Sequence, residues 1–115
     1  MITATIVGNV GKDPEFKVSG GGKPMANFSV ASTIKREGRE PQTTWVDVVC
    51  FDSQAEEVSE RLHKGERVVV SGRLQLEKFT RKDGTEGQSL RMLADEVAIS
   101  IRFPKKEAVE GGAAW

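Results

Sequence analysis

The chain has 115 residues, enough for one domain with its own core and no need of metals or disulfides. Lys and Arg total 17, as do Asp and Glu, so a formal charge of zero excludes a uniformly basic nucleic-acid binder while leaving room for a local basic stripe. The single cysteine, Cys50, excludes an internal disulfide, and nothing reads as a signal peptide or membrane span, so a cytoplasmic protein with no membrane partner is expected.

Ile2 to Val7 alternates Ile, Ala, Ile against Thr, Thr, Val and predicts a half-buried strand. The following Gly8-Asn9-Val10-Gly11-Lys12-Asp13-Pro14-Glu15 is dense in turn residues. No helix pattern or Gly-Lys-Ser/Thr ending follows it, which speaks against a phosphate loop. After a loop at Ser19 to Pro24, Ala26, Phe28 and Val30 alternate with polar or small residues in a second strand, with Phe28 and Val30 inward. Lys35-Arg36-Glu37-Gly38-Arg39-Glu40-Pro41 reads as a hairpin tip. Its three cations are either simply solvated or form a finger that tracks phosphates.

Thr43 to Phe51 is a strand without Gly or Pro and rich in β-branched and aromatic residues. Side chains alternate across a strand, so Val46, Val48 and Cys50 share an apolar inner face. Trp45, Asp47, Val49 and Phe51 share the other, which Asp47 marks as the outer one. Two rings on a solvated sheet face form a stacking platform for nucleobases, unless another layer or a partner subunit covers them.

Ser53 and Glu56 have the spacing of a capping box, and Gly65 supplies a stop, which predicts the one helix. Ala55, Val58 and Leu62 form its buried face, Glu57 and Arg61 pair across one turn, and His63 falls in the last turn as a structural residue. A lone histidine with no cysteine nearby gives no metal site, and no cofactor is expected. Glu66 to Phe79 predicts a long strand with Val68, Val70, Gly72, Leu74 and Leu76 inward and Phe79 outward, with Gly72 at a bend or bulge. Lys82-Asp83-Gly84-Thr85 turns a hairpin, Gln88 to Ala94 returns, and Val97, Ile99 and Ile101 read as a last alternating strand. The expected architecture is an all-β OB fold. It is a five-stranded Greek-key barrel over residues 1–104, with one helix between strands 3 and 4 and extended hairpins, followed by a short flexible tail over 105–115.

The chain resembles the bacterial single-stranded-DNA-binding proteins over roughly residues 1–103. The resemblance rests on Val7 through Glu15, Ala26 through Ala31, Thr44-Trp45 through Phe51, Gly65 through Leu74 and Asp95-Glu96-Val97. It implies an OB fold assembled as a homotetramer that wraps single-stranded DNA without catalysis in replication, repair and recombination. Trp45 and Phe51 match the family's stacking tryptophan and phenylalanine, and Phe79 stands where many members have a second tryptophan. A further family aromatic after the second strand finds only Ile34 and Arg36. Lys78 matches a basic position, whereas Glu77 and Asp47 are acidic on the binding strands. The family's acidic, hydrophobic-ended tail tip, which recruits replication and repair proteins, has only Glu107, Glu110 and Trp115 as counterparts here.

The expected nucleic-acid-binding set is therefore Trp45, Phe51 and Phe79 for bases, with Lys35, Arg36, Arg39, Arg73, Lys78, Arg81, Lys82 and Arg91 for phosphates. The first strand, whose Val7-bearing face lacks charge, is the candidate subunit interface. The competing class is an OB module that binds RNA or protein. An enzyme is the weakest reading, because no nucleophile–base set or paired apolar carboxylates occur.

Overall fold

The structure, a computed structural model, describes residues 1–102. The tail expected over 105–115 and the end of the expected domain lie outside the described residues. The elements are β1 (Ile2–Val10), β2 (Glu15–Val18), β3 (Pro24–Ile34), β4 (Gln42–Phe51), α1 (Asp52–Arg61), β5 (Arg67–Thr80) and β6 (Glu86–Ile99).

The sheet runs β1-β5-β6-β4-β3-β2, and a further β1–β3 pairing joins its ends. All neighbours are antiparallel except β4 and β6. The five long strands thus close the expected OB barrel, with the helix between the third and fourth of them and β2 as an added edge strand. Closure depends on Gly8, since a Cβ there would fall on the Ala31 carbonyl where β1 crosses β3. The turn-rich segment after β1 is tied down by backbone bonds. Val10 N–H donates to Glu66 O at 2.9 Å, Gly11 N–H to Ser29 O at 2.9 Å, and Lys64 N–H to the Asp13 carboxylate at 2.8 Å.

The barrel interior carries the expected alternation: Phe28, Val30, Val46, Val48, Val68 and Val70 are all buried. Ala55, Val58 and Leu62 close one end from the helix, as their spacing predicts. Cys50 is fully buried, its Sγ 3.7 Å from Ala26 O, and desolvation pushes its thiol pKa up to about 11.

The helix ends differ from expectation. β4 passes into α1 through Asp52 at φ 61, the N-cap is Phe51, and no side chain caps it. Ser53 therefore lies within the first turn, two places past the N-cap that a capping box would need it to occupy. The helix stops at Arg61, so His63 lies beyond it, in a turn where Glu66 accepts from His63 N–H at 2.8 Å and Gly65 has φ 89.

The two strands expected over 88–101 are one strand, β6, which ends at Ile99 and leaves Ile101 exposed. Its register against β5 jumps between Ser71 and Gly72, and Asp95 is the extra residue. This bulge switches the inward parity from Leu90, Met92 and Ala94 to Val97. Gln54 of α1 serves the backbone groups around it, donating to Ala94 O at 3.4 Å and accepting from Val97 N–H at 3.1 Å. Leu76, expected inside, is 49% exposed, because β5 and β6 run past the barrel as a free hairpin.

Candidate nucleic-acid interface

The odd-numbered residues of β4 face outward, as alternation requires, and the register extends that face across the sheet. Gln75, Arg91, Asp47 and Ser29 lie in one cross-strand row, and Arg73, Leu93, Val49 and Asn27 in the next. Trp45, Phe51 and Phe79 all belong to this face. Val49 also belongs to it but is buried, at 7% exposure.

Each ring is held by a different device. The Trp45 indole, 56% exposed, lies over Gly11, where a Cβ would come within 2.6 Å of Cζ3. Gly11 thus provides the flat floor that sets the ring's position. The Phe51 ring is half-buried and carries the Lys23 ammonium 5.2 Å from its centroid, and that ammonium also pairs with Asp52 at 3.9 Å. Phe79 lies over Gly87, its cross-strand partner, so closely that a Cβ there would overlap the ring. The Arg81 guanidinium sits 5.4 Å from the Phe79 centroid and is anchored by donating to Glu86 O at 2.8 Å. The hairpin tip beside it is fixed by Asp83, which accepts from the Thr85 hydroxyl at 2.6 Å and amide at 3.0 Å. These bonds hold the Asp83 carboxyl below its ordinary pKa.

The expected cations do not form one stripe. Lys35, Arg36 and Arg39 are exposed at the β3–β4 hairpin tip, and Arg81 and Lys82 lie at the β5–β6 tip. Arg73 and Arg91 lie between, lining with Phe51 a groove of about 550 Å³. Arg91 is offset by Glu77, 3.6 Å away. Lys78 has even parity and projects from the opposite face to Phe79, so it does not flank that ring as its sequence position suggests.

A second groove, of about 250 Å³, opens at the centre and is lined mainly by polar side chains, among them Lys12, Asn27, Ser29, Asp47, Glu77 and Arg91. Lys12 and Lys23 were missed by the sequence reading. No periodicity marks them, since both lie in loops and reach the face only through the fold. The chemistry available is ring stacking on a solvated face, phosphate contacts at two hairpin tips, and hydrogen bonding at the centre. Among the described residues no group of three or more acidic, histidine or cysteine side chains could hold a metal, and no helix is long and apolar enough to cross a membrane.

Comparison with known proteins places this geometry in context. The description "Single-strand binding protein family" matches residues 1–100. A single-stranded DNA-binding protein of Paenarthrobacter aurescens is 34% identical over 107 residues, covering 88% of this chain and 63% of that protein. One from Xanthomonas campestris pv. campestris is 38% identical over 98 residues, covering 82% of this chain and 57% of that protein. The chain thus spans about three-fifths of the length of these curated relatives. The crystal structure of a small single-stranded DNA-binding protein from Streptomyces coelicolor superposes with a TM-score of 0.76 at 26% identity, covering 87% of this chain and 94% of that one.

Proposed function

The chain belongs to the single-strand binding protein family, and from that membership we propose that it binds and protects single-stranded DNA, largely independently of sequence and without catalysis, in replication, repair and recombination. The observation that supports this most directly is the placement of Trp45, Phe51 and Phe79 on one solvated sheet face, with Lys35, Arg36, Arg39, Arg73, Arg81, Lys82 and Arg91 on that face or at its hairpin tips. Bases stack on the rings, at ~1–3 kcal/mol each, while the strand's phosphates run toward the tips. Lys78, on the reverse face, contacts a strand only if it wraps around the hairpin.

Titration with oligo-dT while following Trp45 fluorescence, with Trp115 replaced, tests the reading. Saturable quenching that weakens with salt and is absent with duplex DNA is the expected result. No quenching by DNA, with binding to RNA or to another protein instead, would favour an RNA-binding or protein-interaction module.

Assembly as a homotetramer is part of the proposal, because linked sites gain from effective concentration. β1 pairs with β5 along one edge and meets β3 only at Asn9 and Val10, which leaves the other edge of residues 2–8 without a strand partner among the described residues. Thr3, Thr5 and Val7 add an uncharged exposed face beside that edge. Thr5→Glu is expected to lower the sedimenting mass; an unchanged assembly would remove β1 from the interface. A cytoplasmic, nucleoid-associated location follows from the same reading, and recruitment of replication and repair proteins would rest on residues outside those described.

A further inference from the structure

The centre of the interface is polar but not basic, which is an odd composition for a surface that only tracks phosphates. Asp47 projects outward between Trp45 and Phe51 on β4, and Arg91 stands opposite it in register. Glu77 engages Arg91 at 3.6 Å, and Asp47 accepts one long bond, 3.4 Å, from Ser29 Oγ. Asn27 Oδ1, in the same groove, is shielded from solvent and has no hydrogen-bond partner. Ionised carboxylates have no hydrogen to donate, so Asp47 and Glu77 are acceptors in a groove whose two cations are already engaged, Arg91 by Glu77 and Lys12 by Glu15 at 3.8 Å. A phosphate there would meet two like charges beside two cations already paired with carboxylates. A base edge bearing an N–H₂ group would meet the acceptors it needs.

Resting on the single-strand-binding reading, we infer that Asp47 and Glu77 are specificity-determining residues that favour bases with an exocyclic amine over thymine. Cytosine offers its N4 amine, adenine N6 and guanine N2, whereas thymine presents O4 and O2 as acceptors and has one ring N–H between them. A strand stacked on Trp45 and Phe51 brings a base edge past Asp47, which lies between those rings on the same strand. Thymine there turns carbonyl oxygens toward carboxylates. Cytosine turns an amine.

The test compares oligo-dC and oligo-dT of equal length, at one salt concentration and slightly alkaline pH, on the wild-type chain and on Asp47→Asn and Glu77→Gln. Each variant removes a negative charge and so strengthens binding of both strands, and the ratio of the two affinities cancels that common gain. The ratio is expected to move toward oligo-dT by about fivefold in each variant, the lower end of what one good base-edge contact supplies. Glu56→Gln, on the exposed face of α1, is expected to leave it unchanged. Equal gains for both oligomers would overturn the inference alone, by reducing the carboxylates to phosphate repulsion. An equal shift in Glu56→Gln would overturn it as well, because the ratio would then follow net charge. Binding of neither oligomer to the wild-type chain would overturn the single-strand-binding reading and this inference with it.

Discussion

At the scale of single residues, two glycines of one turn-rich segment have separate tasks, and substitution distinguishes them. A Cβ on Gly8 meets the Ala31 backbone, which cannot move without opening the β1–β3 closure, so Gly8→Ala is expected to cost about 2–3 kcal/mol in urea unfolding. A Cβ on Gly11 meets only the end of the Trp45 side chain, which can swing away. Gly11→Ala is therefore expected to change stability by less than ~1 kcal/mol yet weaken single-strand binding by ~1 kcal/mol, roughly fivefold, with an altered Trp45 emission. Equal losses of stability in the two variants would refute the distinction. Cys50 gives a second expectation. Burial raises its pKa to about 11, so above about pH 9 the unfolded thiol ionises while the folded one keeps its proton. The unfolded state then holds fewer protons, so this contribution makes stability fall as pH rises through that window. The effect should vanish in Cys50→Ser when urea midpoints at neutral and high pH are compared.

Among the elements, β3, β4 and the buried helix face were legible because each buries one face against the rest of the fold, so Phe28, Val48 and Val58 announce their sides by spacing alone. What was not legible depends on partners distant in sequence. Val97 and Ile99 fall on the opposite parity from Met92, which looks like a second strand until the register with Ser71 and Gly72 exposes Asp95 as a bulge. Leu76 was placed inside as if the barrel continued beneath it, and Lys78 beside Phe79 in the binding set, whereas the strands there form a hairpin with Leu76 and Phe79 both exposed. Phe16 and Val18 alternate with Glu15 and Lys17, but in so short a run among turn residues that β2 is recognisable only by its pairing with β3. Of the candidate site, the shared outward face of Trp45, Phe51 and Phe79 and the cations at the hairpin tips could be read, but Lys12, Lys23 and the central groove could not, since they come together only across strands. The bulge also has an energetic consequence. Gln54 bonds Ala94 O and Val97 N–H, which lie beyond Leu93, the last residue of β6 paired with β4, so Gln54→Ala leaves both without this partner. A loss of about 2 kcal/mol in the urea-unfolding free energy is expected; a loss below ~0.5 kcal/mol would mean that water replaces the amide at no cost.

For the whole molecule, zero net charge conceals an uneven distribution, and its measurable consequence is the salt dependence of binding. The helix gathers Asp52, Glu56, Glu57 and Glu60 against Arg61 alone, while the hairpin tips carry Lys35, Arg36, Arg39, Arg81 and Lys82 against Glu37, Glu40 and Asp83. Several cations near the face are already engaged: Lys12 with Glu15, Lys23 with Asp52 and Arg91 with Glu77. Lys35, Arg36, Arg39, Arg73, Lys78, Arg81 and Lys82 form no ion pair among the described residues, and these are the groups able to displace counterions from a strand. Each phosphate neutralised on a single strand contributes about −0.7 to the slope of log K against log salt, so seven such contacts set a ceiling of about −5 per chain. Replacing Lys35, Arg36 and Arg39 together by alanine is expected to reduce the slope's magnitude by about 2, because three contacts are lost, while quenching of Trp45 at saturation persists. An unchanged slope would mean that the β3–β4 tip is only solvated and that the strand's path lies along Arg73 and the β5–β6 hairpin. Loss of quenching with the slope unchanged would mean instead that the tip positions the rings and does not hold phosphate.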